Sequence, residues 1–195
     1  MRKHSFWNDP VGDLLAYLCE PRPWASKIVA IANNAKAFDM HFILNRLIML
    51  KWIPELITYR FKIISMKMEN LVFLNSVSFI PCALRKLHEA FGLQATKSWY
   101  PHYFCTEENL DHVGPLLDIS YYGVDEMSGG ERKIFLAWYD THKSQLFRNK
   151  HGLEAYSHDV VAVLRQACRF VRREFLHVGN IEVFSRIPDN RVSVQ

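Results

Sequence analysis

Apolar positions along the chain follow two periods, and the change from one to the other marks out the elements. Val11, Leu14, Leu15 and Leu18 recur three and four apart behind Asp9-Pro10, which predicts a short helix over 9–19. Pro21 and Pro23 stop it. Residues 27–32 read KIVAIA, a continuous apolar run rich in β-branched side chains, and this predicts a strand buried on both faces. A helix over about 37–51 follows. Two further strands are expected at 56–64 and 71–79, then a helix over 82–91 that Gly92 closes.

From 97 to 127 the period is lost among Pro, Gly, Asn, Tyr and acidic residues, so an ordered surface excursion is expected there. Ser128 and Glu131 form an S-x-x-E capping box heading a helix that runs through Trp138. Val161, Leu164, Cys168, Val171 and Phe175 step along one face of a last helix. Arg165, Arg169 and Arg172 share a neighbouring face, read first as a solvated stripe and second as a phosphate contact. Strands alternating with helices predict an α/β class.

Composition narrows this picture. A chain of 195 residues with 49% hydrophobic and 13% aromatic side chains fits one domain with a real core and excludes a disordered class. Four cysteines lie far apart with no CxxC pair, which reads as reduced packing thiols inside a cell. The basic N-terminus has no apolar run behind it, so no secretory signal is expected. Asn45, Arg46, Lys51 and Glu55 interrupt the most apolar stretch, which argues against a membrane span.

The net charge of +4 conceals two opposed regions. Between 40 and 100, Arg46, Lys51, Arg60, Lys62, Lys67, Arg85, Lys86 and Lys97 outnumber three glutamates. Between 105 and 140, eight acidic residues face Arg132 and Lys133. A basic half suits a phosphate backbone, and a patchy solvated surface accounts for it equally well.

Three local patterns carry little. MSGGERK at 127–133 looks like the signature loop of ABC-type ATPases, but no GxxxxGK[ST] accompanies it, so Ser128 is read as a helix cap. His102, Cys105 and His112 lack a fourth ligand for zinc and read as packing or surface residues. No G-x-S-x-G elbow is present.

The informative constellation is spread over the chain. NAKAFD follows the KIVAIA strand, and a carboxylate at the end of a buried strand faces the cleft where α/β sheets place chemistry. Then come LITYRFKI, FLNSVSFIPCALRKLHEAFGL, KSWYPHYFCTEEN, YYGVDEMSGGERKIFLAWY and LEAYSHDVVAVLRQACRF. This order, over about residues 6–184, resembles the 3′-to-5′ exonuclease domain of protein-primed family B DNA polymerases, known from organellar linear plasmids, phages and Maverick or Polinton transposons. The resemblance implies an RNase H-like (DnaQ-type) α/β fold and removal of nucleotides from a primer 3′ end. In that family four carboxylates hold two divalent ions, Mg²⁺ by preference, that polarise the scissile phosphate and activate water.

Carried over by position, Asp39 and Asp159 would be metal-binding and catalytic carboxylates, Asp159 at the start of the last helix. Lys97 would stabilise charge at the phosphate. Asn34, Phe38, Ser76 and Tyr156 would contact the DNA strand. Several positions depart from the family. Ala155 stands where the third motif has Tyr, with Tyr156 one position out of register. Asn33 replaces a common His, Asn75 a usual Asp, and Val77 a usual Leu.

The first motif, D-x-E, is absent: none of the nine Asp residues has Glu two positions on. Two carboxylates are then left for two ions, so Mg²⁺ should bind weakly or not at all. The fold should lack its first strand or strands, leaving KIVAIA with an exposed edge. No polymerase palm is present. These features predict a partial exonuclease domain over 1–195, a remnant or fragment of a polymerase, inactive alone, intracellular and in the nucleus. Its expected partners are a single-stranded DNA 3′ end and the missing polymerase segments, with no membrane. The alternatives are a domesticated, non-enzymatic single-stranded DNA-binding module and a nuclease with a rebuilt site.

Overall fold

The computed structural model describes residues 3–95 and 98–184. It is a mixed α/β structure containing a mixed sheet. The chain divides into two compact units, one formed by 1–93 with 164–195 and the other by 94–163.

In the first unit, α1 (Pro10–Cys19) begins where Asp9 accepts the Gly12 N–H at 3.1 Å, with Pro10 in the first turn. Asp9 also pairs with Arg46. Arg22 folds back over the end of the helix. Its guanidinium donates to the Tyr17 and Leu18 carbonyls at 2.6 and 3.4 Å and lies 4.6 Å from the Tyr17 ring centre. Strand β1 (Ile28–Ala32) leads to α2 (Asp39–Met49), which turns Met40, Ile43 and Leu47 inward at helical spacing.

Expected as a single strand, 56–64 is instead the turn of a hairpin, β2 (Glu55–Tyr59) and β3 (Lys62–Met68). The chain reverses at Arg60, whose φ is 55°. Strand β4 (Leu71–Asn75) is buried throughout and stops four residues short of expectation, because 76–78 forms a 3₁₀ turn. The sheet order is β1-β4-β3-β2, with β1 parallel to β4 and the other pairs antiparallel. Among the described residues β1 is therefore an edge strand, as the sequence led us to expect. Its five positions are only half-buried.

Leu15, Met40, Ile43, Leu47, Ile63, Met66, Leu71 and Phe73 share one core with Ile28, Ala30 and Ala32. Truncating a fully buried leucine such as Leu47 to Ala would cost about 2–5 kcal/mol. Helix α3 (Leu84–Phe91) ends at Gly92, which adopts φ 58° so that the Leu93 N–H reaches the His88 carbonyl at 3.0 Å.

In the second unit, the excursion at 98–127 is ordered by short 3₁₀ turns and strand β5 (Val113–Pro115). Helix α4 (Gly129–His142) starts where the Ser128 hydroxyl accepts the Glu131 N–H at 3.4 Å, as the capping box predicts. Strand β6 (Leu146–Arg148) pairs antiparallel with β5. Tyr122, Val124 and Phe135 form an aromatic core with Trp99 and Trp138 around them.

Helix α5 (Asn149–Gly179) is longer than its apolar stripe suggested. Its buried face is Val163, Leu164, Ala167, Cys168 and Val171, whereas Val161 and Phe175 are exposed. Of the four cysteines only Cys168 is buried, so the packing role expected for the others fails at exposed Cys19 and Cys105. Along the arginine stripe, Arg172 pairs with Glu182 at 2.6 Å.

Candidate functional site

Parallel strands β1 and β4 end side by side, with Ala32 opposite Asn75. The carboxyl ends of parallel strands collect functional side chains because the connecting loops leave the sheet there. Beyond Ala32, Asn34 takes φ 55°, a left-handed conformation that Asn tolerates better than most residues. The Asn34 carbonyl accepts the Ala37 N–H at 3.0 Å, and this turn delivers Phe38 as the residue capping α2 and Asp39 as its first residue. Phe38 is 70% exposed and Asp39 is exposed at a helix start, where the dipole favours a carboxylate.

On the neighbouring strand, the buried Ser76 hydroxyl donates to Asn33 Oδ1 at 3.1 Å. Asn75 has no exposed surface. Its Nδ2 donates to Ser78 Oγ at 3.3 Å, and its Oδ1 is buried without a hydrogen-bond partner. The structure thus gathers Asn34, Phe38, Asp39 and Ser76, all nominated from sequence, along one end of the sheet.

Asp159 is well inside α5 and belongs to the second unit, which corrects the expectation that it opens the helix. The first turns of α5 carry Gly152, His151 and His158 in place of an apolar stripe, so its start was hidden. Tyr156, three positions before Asp159, packs against His102 and Tyr100 with ring centres 4.8 and 5.5 Å apart. Lys97 falls outside the described residues.

Mg²⁺ takes several oxygen ligands, and Asp39 adds one carboxylate to a row otherwise made of amides and hydroxyls. No group of three or more His, Cys, Asp or Glu that could hold a metal occurs among the described residues. A two-ion centre does not fit these residues, and we derive no hydrolytic step through one. For the same reason His102, Cys105 and His112 make no zinc site. His112 instead meets Phe104 edge-on at 5.0 Å.

No family model matches the chain, and no solved structure matches it. A curated protein from Agaricus bitorquis, described as a probable DNA polymerase, is 28% identical to it over 190 residues. The chain is related to this probable DNA polymerase. The match covers 94% of this chain and 24% of that protein, so the chain spans about a quarter of the polymerase's length.

Two polar networks of this polymerase-related chain were not found from its sequence. One lies at the end of β4, where buried Ser76 bonds to half-buried Asn33 and buried Asn75 bonds to Ser78. Its signal was the pair Asn75-Ser76, with Ser78, interrupting an otherwise apolar stretch from Leu71 to Ile80. The other lies in the second unit, where Asn149 accepts from the Tyr100 hydroxyl at 2.6 Å and donates to the Asn109 carbonyl at 2.8 Å. Burial pushes the Tyr100 and Tyr122 phenols well above their ordinary value, so both stay neutral. At the start of β1 a shallow cavity of about 280 Å³ lies between Tyr17, Arg22, Trp24 and Ile28. Arg22 is already committed there to the end of α1. No helix among the described residues is long and apolar enough to cross a membrane.

Proposed function

We propose that the chain is part of the 3′-to-5′ exonuclease region of a protein-primed family B DNA polymerase, of RNase H-like fold without its first strand or strands. In this reading residues 1–195 form a partial domain that holds a single-stranded DNA 3′ end and hydrolyses it slowly or not at all. The observation that carries it is the row Asn34, Phe38, Asp39 and Ser76 at the carboxyl ends of β1 and β4, in the order the resemblance requires. The edge position of β1 supports it, since the strand bearing the family's first motif would be its neighbour.

Chemically, the exposed Phe38 ring offers a stacking surface to a terminal base, and the Asn34 amide offers both a donor and an acceptor. Ser76 holds the Asn33 loop and acts through it. Lys97 would add a phosphate contact, Tyr156 a contact to the strand, and Asp39 with Asp159 the remaining carboxylates.

Anisotropy of a 3′-labelled single-stranded oligonucleotide tests the reading. Binding should be salt-sensitive, exceed binding to blunt duplex, and weaken about tenfold in Phe38→Ala. Equal affinity for blunt duplex, or unchanged binding in that variant, would refute it. A second reading, a non-enzymatic DNA-binding module, is favoured by Asp39 being the one carboxylate of the row. Incubation with Mg²⁺ or Mn²⁺ separates the two: cleavage lost in both Asp39→Ala and Asp159→Ala marks a nuclease, and retained binding without cleavage marks the module.

A further inference from the structure

The turn between β2 and β3 contradicts ordinary hairpin chemistry. Tyr59 and Lys62 are the last paired residues, so Arg60 and Phe61 make a two-residue turn. Such turns use left-handed backbone, and Gly or Asn normally supplies it at little cost. Here Arg60 takes φ 55° with a long side chain in place. Strain of this kind persists where the side chain serves something other than the fold.

Among the described residues, none of these side chains belongs to the hydrophobic core. Phe61 is 95% exposed and Tyr59 is 63% exposed, and both stand clear of the core. The Arg60 guanidinium lies 5.5 Å from the Tyr59 ring centre, and no carboxylate partner of Arg60 or Lys62 occurs among the described residues. Among the described residues, the ion pair on this hairpin, Lys67 with Glu55 at 3.5 Å, is at its base.

Register fixes where the tip points. Ser65 lies opposite Leu74, so Lys62 falls three residues beyond Leu74 along the sheet, or ~10 Å. The tip therefore projects past the same end of the sheet as Asn33, Asn34 and Ser76, one to two strands from Ser76 and two to three from Asn33 and Asn34, or ~5–15 Å laterally. Two cations alternating along the chain with two exposed rings complement a chain of phosphates and bases, whose π faces stack on any aromatic side chain.

We infer that the tip Tyr59-Arg60-Phe61-Lys62 is a second contact for single-stranded nucleic acid, stacking bases on Phe61 and Tyr59 while Arg60 and Lys62 meet phosphates. The inference rests on the proposed single-stranded DNA partner and adds a site that a strand lying along this end of the sheet would reach.

The test measures anisotropy of a labelled oligothymidylate with the full chain and with Phe61→Ala, Arg60→Gly and Phe38→Ala. Phe61→Ala should weaken binding about tenfold. Arg60→Gly, which relaxes the turn, should weaken it at unchanged or raised melting temperature and lower the salt dependence. Binding unchanged in both hairpin variants but weakened in Phe38→Ala overturns the inference and leaves the proposed function standing. Weakening in the hairpin variants alone keeps the inference and removes the Phe38 site. Absence of binding by the unmodified chain overturns both. Binding to phosphatidylserine-containing vesicles that Phe61→Ala abolishes, with DNA binding unaffected, assigns the tip to a lipid surface and overturns it too.

Discussion

Ser76 donates its hydroxyl to Asn33 Oδ1 at 3.1 Å, tying the end of β4 to the loop that leaves β1. Both side chains would otherwise be polar groups without partners in a half-buried or buried place. Ser76→Ala should therefore lower stability by about 1 kcal/mol in urea titration. It should also weaken binding of a single-stranded 3′ end, because the loop carrying Asn34 loses its tether. Full retention of both would leave Ser76 without the tethering role.

Asn75 gives a sharper contrast between two substitutions. Its Oδ1 is buried without a donor, so Asn75→Leu removes an unmet polar group together with the weak bond to Ser78, and stability should change little. Asn75→Asp places a carboxylate where no surface is exposed, and should cost about 3 kcal/mol at pH 7. Burial raises the folded pKa of that new carboxyl above its unfolded value. The deficit should therefore disappear as pH falls below the unfolded value and be complete once pH exceeds the folded one. Equal stability of the two variants at pH 7 would contradict the orphaned acceptor.

The edge of β1, unpaired among the described residues, makes a prediction about solubility. Residues 28–32 carry no charge and no proline, the usual protections of an edge strand. The Ile28 N–H bonds to the Asn70 carbonyl at 2.8 Å, so by alternation the N–H groups of Val29 and Ile31 face away from β4. Val29→Pro removes an outward donor and no bond to β4. Light scattering should show concentration-dependent association of the unmodified chain and less of it in this variant.

Cys168 links pH to stability at the alkaline end. Burial pushes its thiol from 9.0 up to about 11. The folded value is raised, so the stabilisation is complete below pH 9 and is lost as pH rises to about 11. The loss should be on the order of 2 kcal/mol, and Cys168→Ala should reduce that slope while lowering stability at pH 7. An identical slope in the variant would assign the alkaline loss to other groups.

What the sequence revealed, and what it concealed, follows from how local each signal was. KIVAIA, the Asp9-Pro10 helix start, the Ser128 cap and Gly92 each fix their own element through side-chain chemistry a few residues long, and each appears in the structure. The β2–β3 hairpin was missed because Arg60-Phe61 lacks the glycine or asparagine that marks a turn. The start of α5 was missed because its buried partners are polar, Asn149 among them, so no apolar stripe announces it. Asn34, Phe38, Asp39 and Ser76, nominated from sequence as an ordered set, lie at one end of the sheet, and their role is the one proposed above. The Asn33–Ser76 bond was not legible, since it joins residues that only strand pairing brings together.

The first unit is built from two stretches of chain, 1–93 and 164–195, with the whole second unit encoded between them. Phe184 meets Phe79 edge-on at 5.4 Å, and Phe170 meets Phe91 at 5.1 Å. During synthesis the sheet of the first unit is therefore complete on the ribosome long before the helix that packs beside Phe91 has been translated. The nascent chain must wait with apolar surface uncovered, and its unprotected β1 edge is open throughout that interval. Slowing translation through 94–163 should thus lower the yield of folded protein, even though every residue of the finished molecule is unchanged.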